Sequence, residues 1–233
     1  MLHKGHLAPA ARYSEDIDLV LLKPMDKDAL DARLRRVLTP VLGEPSEPAI
    51  ADAWLTLRNV VKPSKLLRTV YTYVPLGLRY PMKIKVEVNL NENASLFALV
   101  DVAVALLNDE GDLTQCRARS YDIDEMLGTK LRALMQRKAG RDLFDLYHAV
   151  SYAPRAVPPG VVNGARAIEA FDWYLENEGT QMGREEAEQL LQERLKNQAF
   201  RKDIDTMLRP DFGRYDVDAA ATRVREEYFR HLR

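Results

Sequence analysis

The run Arg12-Tyr13-Ser14-Glu15-Asp16-Ile17-Asp18-Leu19-Val20-Leu21-Leu22 constrains the fold of this chain more than any other segment. It predicts a strand over 17–23, stopped by Pro24, and its almost continuous aliphatic character predicts burial on both faces. Successive side chains on a strand point to opposite faces, so Asp16 and Asp18 share one. Two carboxylates at the root of a buried strand are costly unless a cation sits between them. Mg²⁺ is the usual solution, held by one or two carboxylates together with substrate phosphates. The pair points to metal-dependent phosphoryl or nucleotidyl transfer. The plainer alternative for both residues is a turn cap at the entrance to the strand.

Composition narrows the class. With 233 residues, 46% hydrophobic and 30% charged, the chain is an ordinary globular one, long enough for one large domain or two smaller ones. A formal charge of −1 gives no global reason to bind nucleic acid, so any such surface must be a local patch. The single cysteine, Cys116, excludes an intrachain disulfide and a cysteine-based zinc site, and is expected as a small core residue. No apolar run reaches the roughly 18–20 residues needed to cross a bilayer. The first residues lack the apolar core of a signal peptide, so no membrane partner and a cytoplasmic location are expected.

The pattern along the chain divides near 120. Residues 2–10 read as a short helical remnant ending near Pro9, and 26–38 as a helix with Asp26 as its cap and Leu30, Leu34, Val37 and Leu38 as its apolar stripe. A loop over 43–50 precedes β-rich segments at 53–61, 66–76 and 82–90. In the last, Ile84, Val86 and Val88 alternate with Lys83, Lys85, Glu87 and Asn89, giving one polar face. Residues 95–108 are ambiguous between helix and strand, and a short strand is expected at 117–121. Beyond it the pattern is helical, at 123–139, 141–152, 162–178, 184–196, 199–208 and 216–232, with a proline-rich loop at 153–160. The expected architecture is an α/β domain, 1–120, followed by an all-helical domain, 121–233.

A second stretch, 122–152, carries further chemistry. Leu127, Leu131 and Leu134 form a core stripe, with Lys130 and Arg137 two turns apart on one flank. Gly140 suits the end of that helix, and Asp142 the cap of the next, whose buried stripe is Leu143, Leu146, Tyr147 and Val150. Each charged residue has an ordinary reading beside the functional one. Lys130 and Arg137 serve equally as solvated charges, Asp142 as a cap, Asp145 as a first-turn acid, and His148 as a surface or packing residue. Glu87 suits pairing with Lys85 or a cross-strand cation. His3 and His6 lack a third nitrogen or sulfur ligand, which argues against a metal site there.

Taken together, Arg12-Tyr13-Ser14-Glu15-Asp16-Ile17-Asp18-Leu19, Lys130-Leu131-Arg132-Ala133-Leu134-Met135-Gln136-Arg137 and Arg141-Asp142-Leu143-Phe144-Asp145-Leu146-Tyr147 resemble the motifs of the AbiEii/AbiGii family of nucleotidyltransferase toxins, which includes the mycobacterial MenT group. The resemblance covers about residues 1–152. It implies a polymerase-β-like nucleotidyltransferase domain with a mixed sheet, followed by a helical domain. It implies Asp16, Asp18 and Glu87 as ligands of Mg²⁺, or Mn²⁺ in its place. Lys130 would face the triphosphate and Asp145 would help set the nucleotide, with Ser14, Arg12, Arg137 and Arg141 as further substrate contacts. The family's Gly-Gly-Ser/Thr turn is not seen before the aspartates. Leu2-His3-Lys4 resembles the segment just after that turn, so the sequence is expected to begin just inside the motif.

The implied activity is that of a toxin of a toxin-antitoxin system, moving a nucleotide from an NTP to RNA, with tRNA as first choice and an antitoxin as protein partner. Arg33/Arg35/Arg36, Lys62/Lys65/Arg68 and Arg132/Arg137/Lys138/Arg141 are the basic clusters able to touch an RNA backbone, against the ordinary reading of solvated faces. Two alternatives keep the same framework. One is a non-catalytic binding member of the family. The other nucleotidylates or phosphorylates a protein hydroxyl with the same aspartates.

Overall fold

The computed structural model describes residues 1–14, 16–50, 53–55, 61–63, 66–73, 81–90, 92–107, 113–152 and 162–233. Glu15, Lys65 and the whole of the expected proline-rich loop at 153–160 lie outside the described residues. The architecture is mixed α/β and forms two compact units, one of Ser14–Ala94 and the other of Met1–Tyr13 with Ser95–Arg233. This division differs from a boundary near 120.

The Ser14–Ala94 unit is built on a four-stranded mixed sheet. Its elements are β1 (Asp16–Val20), α1 (Lys27–Leu42), β2 (Pro45–Ile50), the short antiparallel pair β3 (Ala53–Leu55) and β4 (Val61–Pro63), β5 (Leu66–Tyr73) and β6 (Met82–Asn89). The sheet order is β1-β6-β5-β2, with β1 parallel to β6 and the other pairings antiparallel. The β-branched and aromatic residues of β5 and β6 suit a pleated, half-buried surface. Leu67, Val86 and Val88 are buried on one face, and Leu67 and Val88 pack against Leu30 of α1 with Leu21, Met25, Leu34 and Leu90 around them. Asp26 caps α1 as expected, accepting from the amides of Asp28 and Ala29.

Two expectations are corrected here. β1 is an edge strand, not one buried on both faces: Ile17 and Leu19 are 39% and 42% exposed. The aliphatic run reflects β propensity rather than enclosure, which is why hydropathy alone misplaces it. Part of the expected 43–50 loop is β2, irregularly paired with β5.

In the other unit, an antiparallel pair of strands, β7 (Val100–Leu107) and β8 (Leu113–Ser120), precedes, among the described residues, six α-helices: α2 (Ile123–Gln136), α3 (Gly140–Tyr152), α4 (Gly164–Asn177), α5 (Arg184–Leu195), α6 (Gln198–Lys202) and α7 (Val217–Glu227). Within the ambiguous stretch 95–108, residues 100–107 form a strand, and 95–99 precede it outside any helix or strand. Leu127, Leu131 and Leu134 form the buried stripe of α2 as predicted. Gly128 lets α4 approach: a Cβ there would lie 2.7 Å from the Ala167 carbonyl oxygen. Asp142 through Leu146 are all fully buried, so α3 is enclosed nearly all round rather than on one stripe.

The first thirteen residues belong to this unit because of what they bury and bond. Leu2–His6 form one widened helical turn, closed by the Leu7 amide donating to the Leu2 carbonyl at 2.8 Å. Leu2, Leu7 and Ala11 are core residues, and Tyr13 N donates to Met207 O at 2.8 Å. Among the described residues no helix is long and apolar enough to cross a membrane. Cys116 is exposed on β8, not in the core.

Candidate active site

Strand register gathers the acidic residues of the Ser14–Ala94 unit. Asp16 is paired with Lys85 and Asp18 with Glu87 across the parallel β1–β6 ladder, and Arg68 is paired with Glu87 across β5–β6. Directly paired residues share a face, as do residues two apart on a strand, so Asp16, Asp18 and Glu87 stand with Lys83, Lys85 and Arg68 on one polar surface. Lys85 Nζ lies 2.9 Å from Asp16 Oδ1, and Arg68 Nε donates to Glu87 Oε1 at 2.6 Å. Glu87 therefore takes a cross-strand cation as partner. Ser14 Oγ donates to the Asp16 backbone carbonyl at 3.2 Å, which makes it a local turn residue.

Oxygen donors are the right chemistry for a hard divalent cation. Asp16 Oδ1 is buried and accepts no hydrogen bond. Lys85 is within ion-pair range of it, but no donor is aligned, so the contact is one of charge. This orphaned oxygen fits a metal ligand. Among the described residues no group of three or more Asp, Glu, His or Cys side chains is already gathered as a metal cage. Lys85 and Arg68 hold two of the three acids.

The second constellation is centred on Asp145, fully buried on α3. Its Oδ1 accepts from Arg12 Nε at 2.6 Å and from His3 Nε2 at 2.7 Å, and its Oδ2 from Arg12 Nη2 at 2.7 Å. Lys130 Nζ stands 3.0 Å from the same Oδ2 and 3.6 Å from Asp142 Oδ1. Asp142 is also fully buried and takes both arms of Arg137, at 2.7 Å each. The structure brings Arg12, Lys130 and Asp145 to one place, and Arg137 joins them through Asp142.

Burial alone would raise the Asp145 pKa, but Lys130, Arg12 and His3 outweigh it and hold the carboxyl well below its usual range. Burial alone would lower Lys130; the charges of Asp145 and Asp142 win, and the ammonium stays protonated above its ordinary value. For His3, burial outweighs the Asp145 contact and lowers its pKa, so it is a neutral N–H donor at pH 7. His148, packed beside His3 and stacked on Phe144, is depressed to about 4, chiefly by burial.

Several expected roles are corrected. Asp142 is not a helix cap: it lies inside α3 as an ion-pair partner. Gly140 does not end α2, whose cap is Arg137; it opens α3, where a Cβ would come within 2.0 Å of the Phe200 carbonyl oxygen. Arg141 donates from its backbone amide and its side chain to Asp203, which ties α3 to the segment after α6. Arg132 is buried, bonded to Glu178 and stacked 4.7 Å over Tyr174, so it is no part of a nucleic-acid surface. In the first basic cluster Arg35 pairs with Asp31, while Arg33 and Arg36 are exposed.

The sequence anticipates Lys85 or a cross-strand cation beside Glu87; it does not show that Lys85 sits on Asp16, that the cross-strand cation is Arg68, or that His3 reaches Asp145. Lys85 and Arg68 follow from the period-two face of β6 once the register is known. His3 is separated from Asp145 by 142 residues and has no local signal.

Comparisons with known proteins bear on what this arrangement does. No curated protein matches the chain. Among solved structures, JHP933 from Helicobacter pylori is similar at 16% identity, covering 96% of this chain and 76% of its own, with a TM-score of 0.49. A presumed nucleotidyltransferase from the same organism is similar at 16% identity, covering 94% and 78%, with a TM-score of 0.45. The sequence pattern of the AbiEii nucleotidyl transferase toxins, of type IV toxin-antitoxin systems, matches residues 1–223. The chain therefore belongs to the AbiEii nucleotidyl transferase toxin family.

Proposed function

We propose that the protein is a Mg²⁺-dependent toxin that transfers a nucleoside monophosphate from an NTP to RNA, with tRNA as the acceptor. The observation that carries this reading is Lys130. Its ammonium is held by two buried carboxylates, keeps its charge, and leaves the side chain 22% exposed. A cation held in this way meets a polyphosphate with little reorganisation. The tRNA acceptor follows from resemblance to the MenT group, and a cognate antitoxin is the protein partner that membership of the family implies.

The reaction joins an RNA hydroxyl oxygen to the α-phosphorus and breaks the bond from that phosphorus to the β-bridging oxygen. Pyrophosphate leaves with the bonding electron pair, and the hydroxyl proton passes to solvent. Asp16, Asp18 and Glu87 are the residues that would hold Mg²⁺, or Mn²⁺ in its place. When bound, it supplies positive charge at the reacting phosphate and acidifies the attacking hydroxyl. Lys130 offsets charge on the departing phosphates. Arg137, more than half exposed at 56%, offers a planar guanidinium suited to phosphate oxygens. Asp145 and Asp142 keep Lys130 in place and charged, and Arg12 and His3 hold the Asp145 carboxylate in position.

The test is incubation with Mg²⁺, each α-labelled NTP in turn, and total tRNA. Label should appear on RNA with at least one nucleotide, and Asp16→Ala or Lys130→Ala should abolish it. Absence of transfer from any nucleotide refutes the reading. Label on protein instead of RNA would replace the acceptor with a protein hydroxyl.

A further inference from the structure

The acidic face of the sheet carries its own counter-ions, and they set a condition on metal binding. Lys85 is the register partner of Asp16 and touches its Oδ1 at 2.9 Å, the same buried oxygen that accepts no hydrogen bond. An Mg²⁺–oxygen bond is about 2.1 Å long, so an ion on that oxygen would stand within a few ångströms of the ammonium. Like charges that close repel strongly, and the two cannot both contact Asp16 Oδ1. Lys85 is 43% exposed, so its ammonium has solvent to move into. Arg68 is held more firmly: its side chain is 28% exposed and bonded to Glu87 at 2.6 Å.

We propose that Lys85 is a displaceable counter-ion of the metal-binding carboxylates, neutralising Asp16 while no divalent cation is bound and leaving that oxygen when one binds. The inference rests on the reading of Asp16 and Asp18 as metal ligands. It explains why the acids are not gathered as a cage: the strand face is arranged around Lys85 and Arg68. It also makes binding of a bare cation weaker than the donor set alone would give. Arrival of the cation with a polyphosphate is favoured, since a phosphate oxygen can accept the displaced ammonium.

The experiment is a titration of the full chain with Mn²⁺ alone, without nucleotide, with the free ion counted by electron paramagnetic resonance. The proteins are wild type, Lys85→Met, Lys85→Gln, Lys83→Met and Asp16→Asn, each checked for folding by circular dichroism. Lys83→Met removes the same charge two residues away on the same strand and controls for overall charge. Removing Lys85 should tighten Mn²⁺ binding about five- to tenfold, the scale of one partly exposed ion pair plus relieved repulsion. Lys83→Met should change it less than about twofold, and Asp16→Asn should abolish it. Unchanged or weaker binding by both Lys85 variants, with wild type binding normally, overturns the role of Lys85 and leaves the metal reading standing. No Mn²⁺ binding by wild type or by either Lys85 variant overturns both.

Discussion

Replacing Asp145 with asparagine tests the helical constellation most directly. The substitution keeps the shape and one acceptor oxygen but turns the other into an amide donor. On either side of that position stand Arg12 Nη2, at 2.7 Å from Oδ2, and Lys130 Nζ, at 3.0 Å. Two charge-assisted contacts become donor-to-donor clashes, each such contact being worth about 1.5–3 kcal/mol. Arg12 is then left as a buried cation without a carboxylate. Breaking a buried pair from one side costs about 3–5 kcal/mol, in agreement with that sum. Urea unfolding followed at 222 nm should show a midpoint lower by roughly 2 M. The pH dependence gives a second check. The folded carboxyl titrates well below 3.8, so its contribution is full above the unfolded value and is lost as pH falls through the folded one. The gap between wild type and Asp145→Asn should be constant from about pH 7 to 5 and should narrow below about pH 4. A loss under about 1 kcal/mol, or a gap unchanged in acid, would refute the claim that Asp145 is a charged anchor.

Gly140→Ala should cost about 2–3 kcal/mol, seen as a lowered melting temperature, because its Cβ would fall 2.0 Å from the Phe200 carbonyl oxygen and that backbone must move. His148 should remain neutral in nuclear magnetic resonance titrations until pH approaches about 4. Its folded pKa is lowered, so the unfolded state takes the proton first and stability falls as pH drops from 6.5 towards 4, by about 3 kcal/mol in all. His148→Phe, which keeps the stack on Phe144, should reduce that slope to what His3 and His6, both also lowered, contribute.

What is legible in the sequence is whatever depends on near neighbours. The alternation of Ile84, Val86 and Val88 gives β6 and its polar face, the spacing of Leu127, Leu131 and Leu134 gives α2, and Asp26 caps α1 as its position suggests. What is hidden depends on distant partners. Asp142 and Gly140 have the local signature of a cap and a helix end, yet one is buried against Arg137 and the other backs onto Phe200. Nothing between residues 1 and 13 announces that Leu2, Leu7 and Ala11 are core, because what encloses them is a matter of tertiary contact. The candidate site divides in the same way. Asp16, Asp18, Lys130 and Asp145 are found by motif, whereas Lys85, Arg68 and His3 are found only by register and packing.

Those hidden partners decide what each constellation can bind. On the sheet face Asp16, Asp18 and Glu87 meet Lys83, Lys85 and Arg68, and Asp16 Oδ1 is buried there without a hydrogen bond. Around α3 cations are in excess. Asp142 and Asp145 meet Arg12, Lys130 and Arg137, with His3 neutral, and the surplus positive charge emerges at Lys130 and Arg137, the two cations with exposure to solvent. An acidic motif alone would not establish a metal preference, since internal cations could cancel it entirely, and a basic motif alone would not establish a phosphate preference. The orphaned oxygen of Asp16 and the partly exposed, carboxylate-held ammonium of Lys130 are what support the proposed metal and phosphate roles.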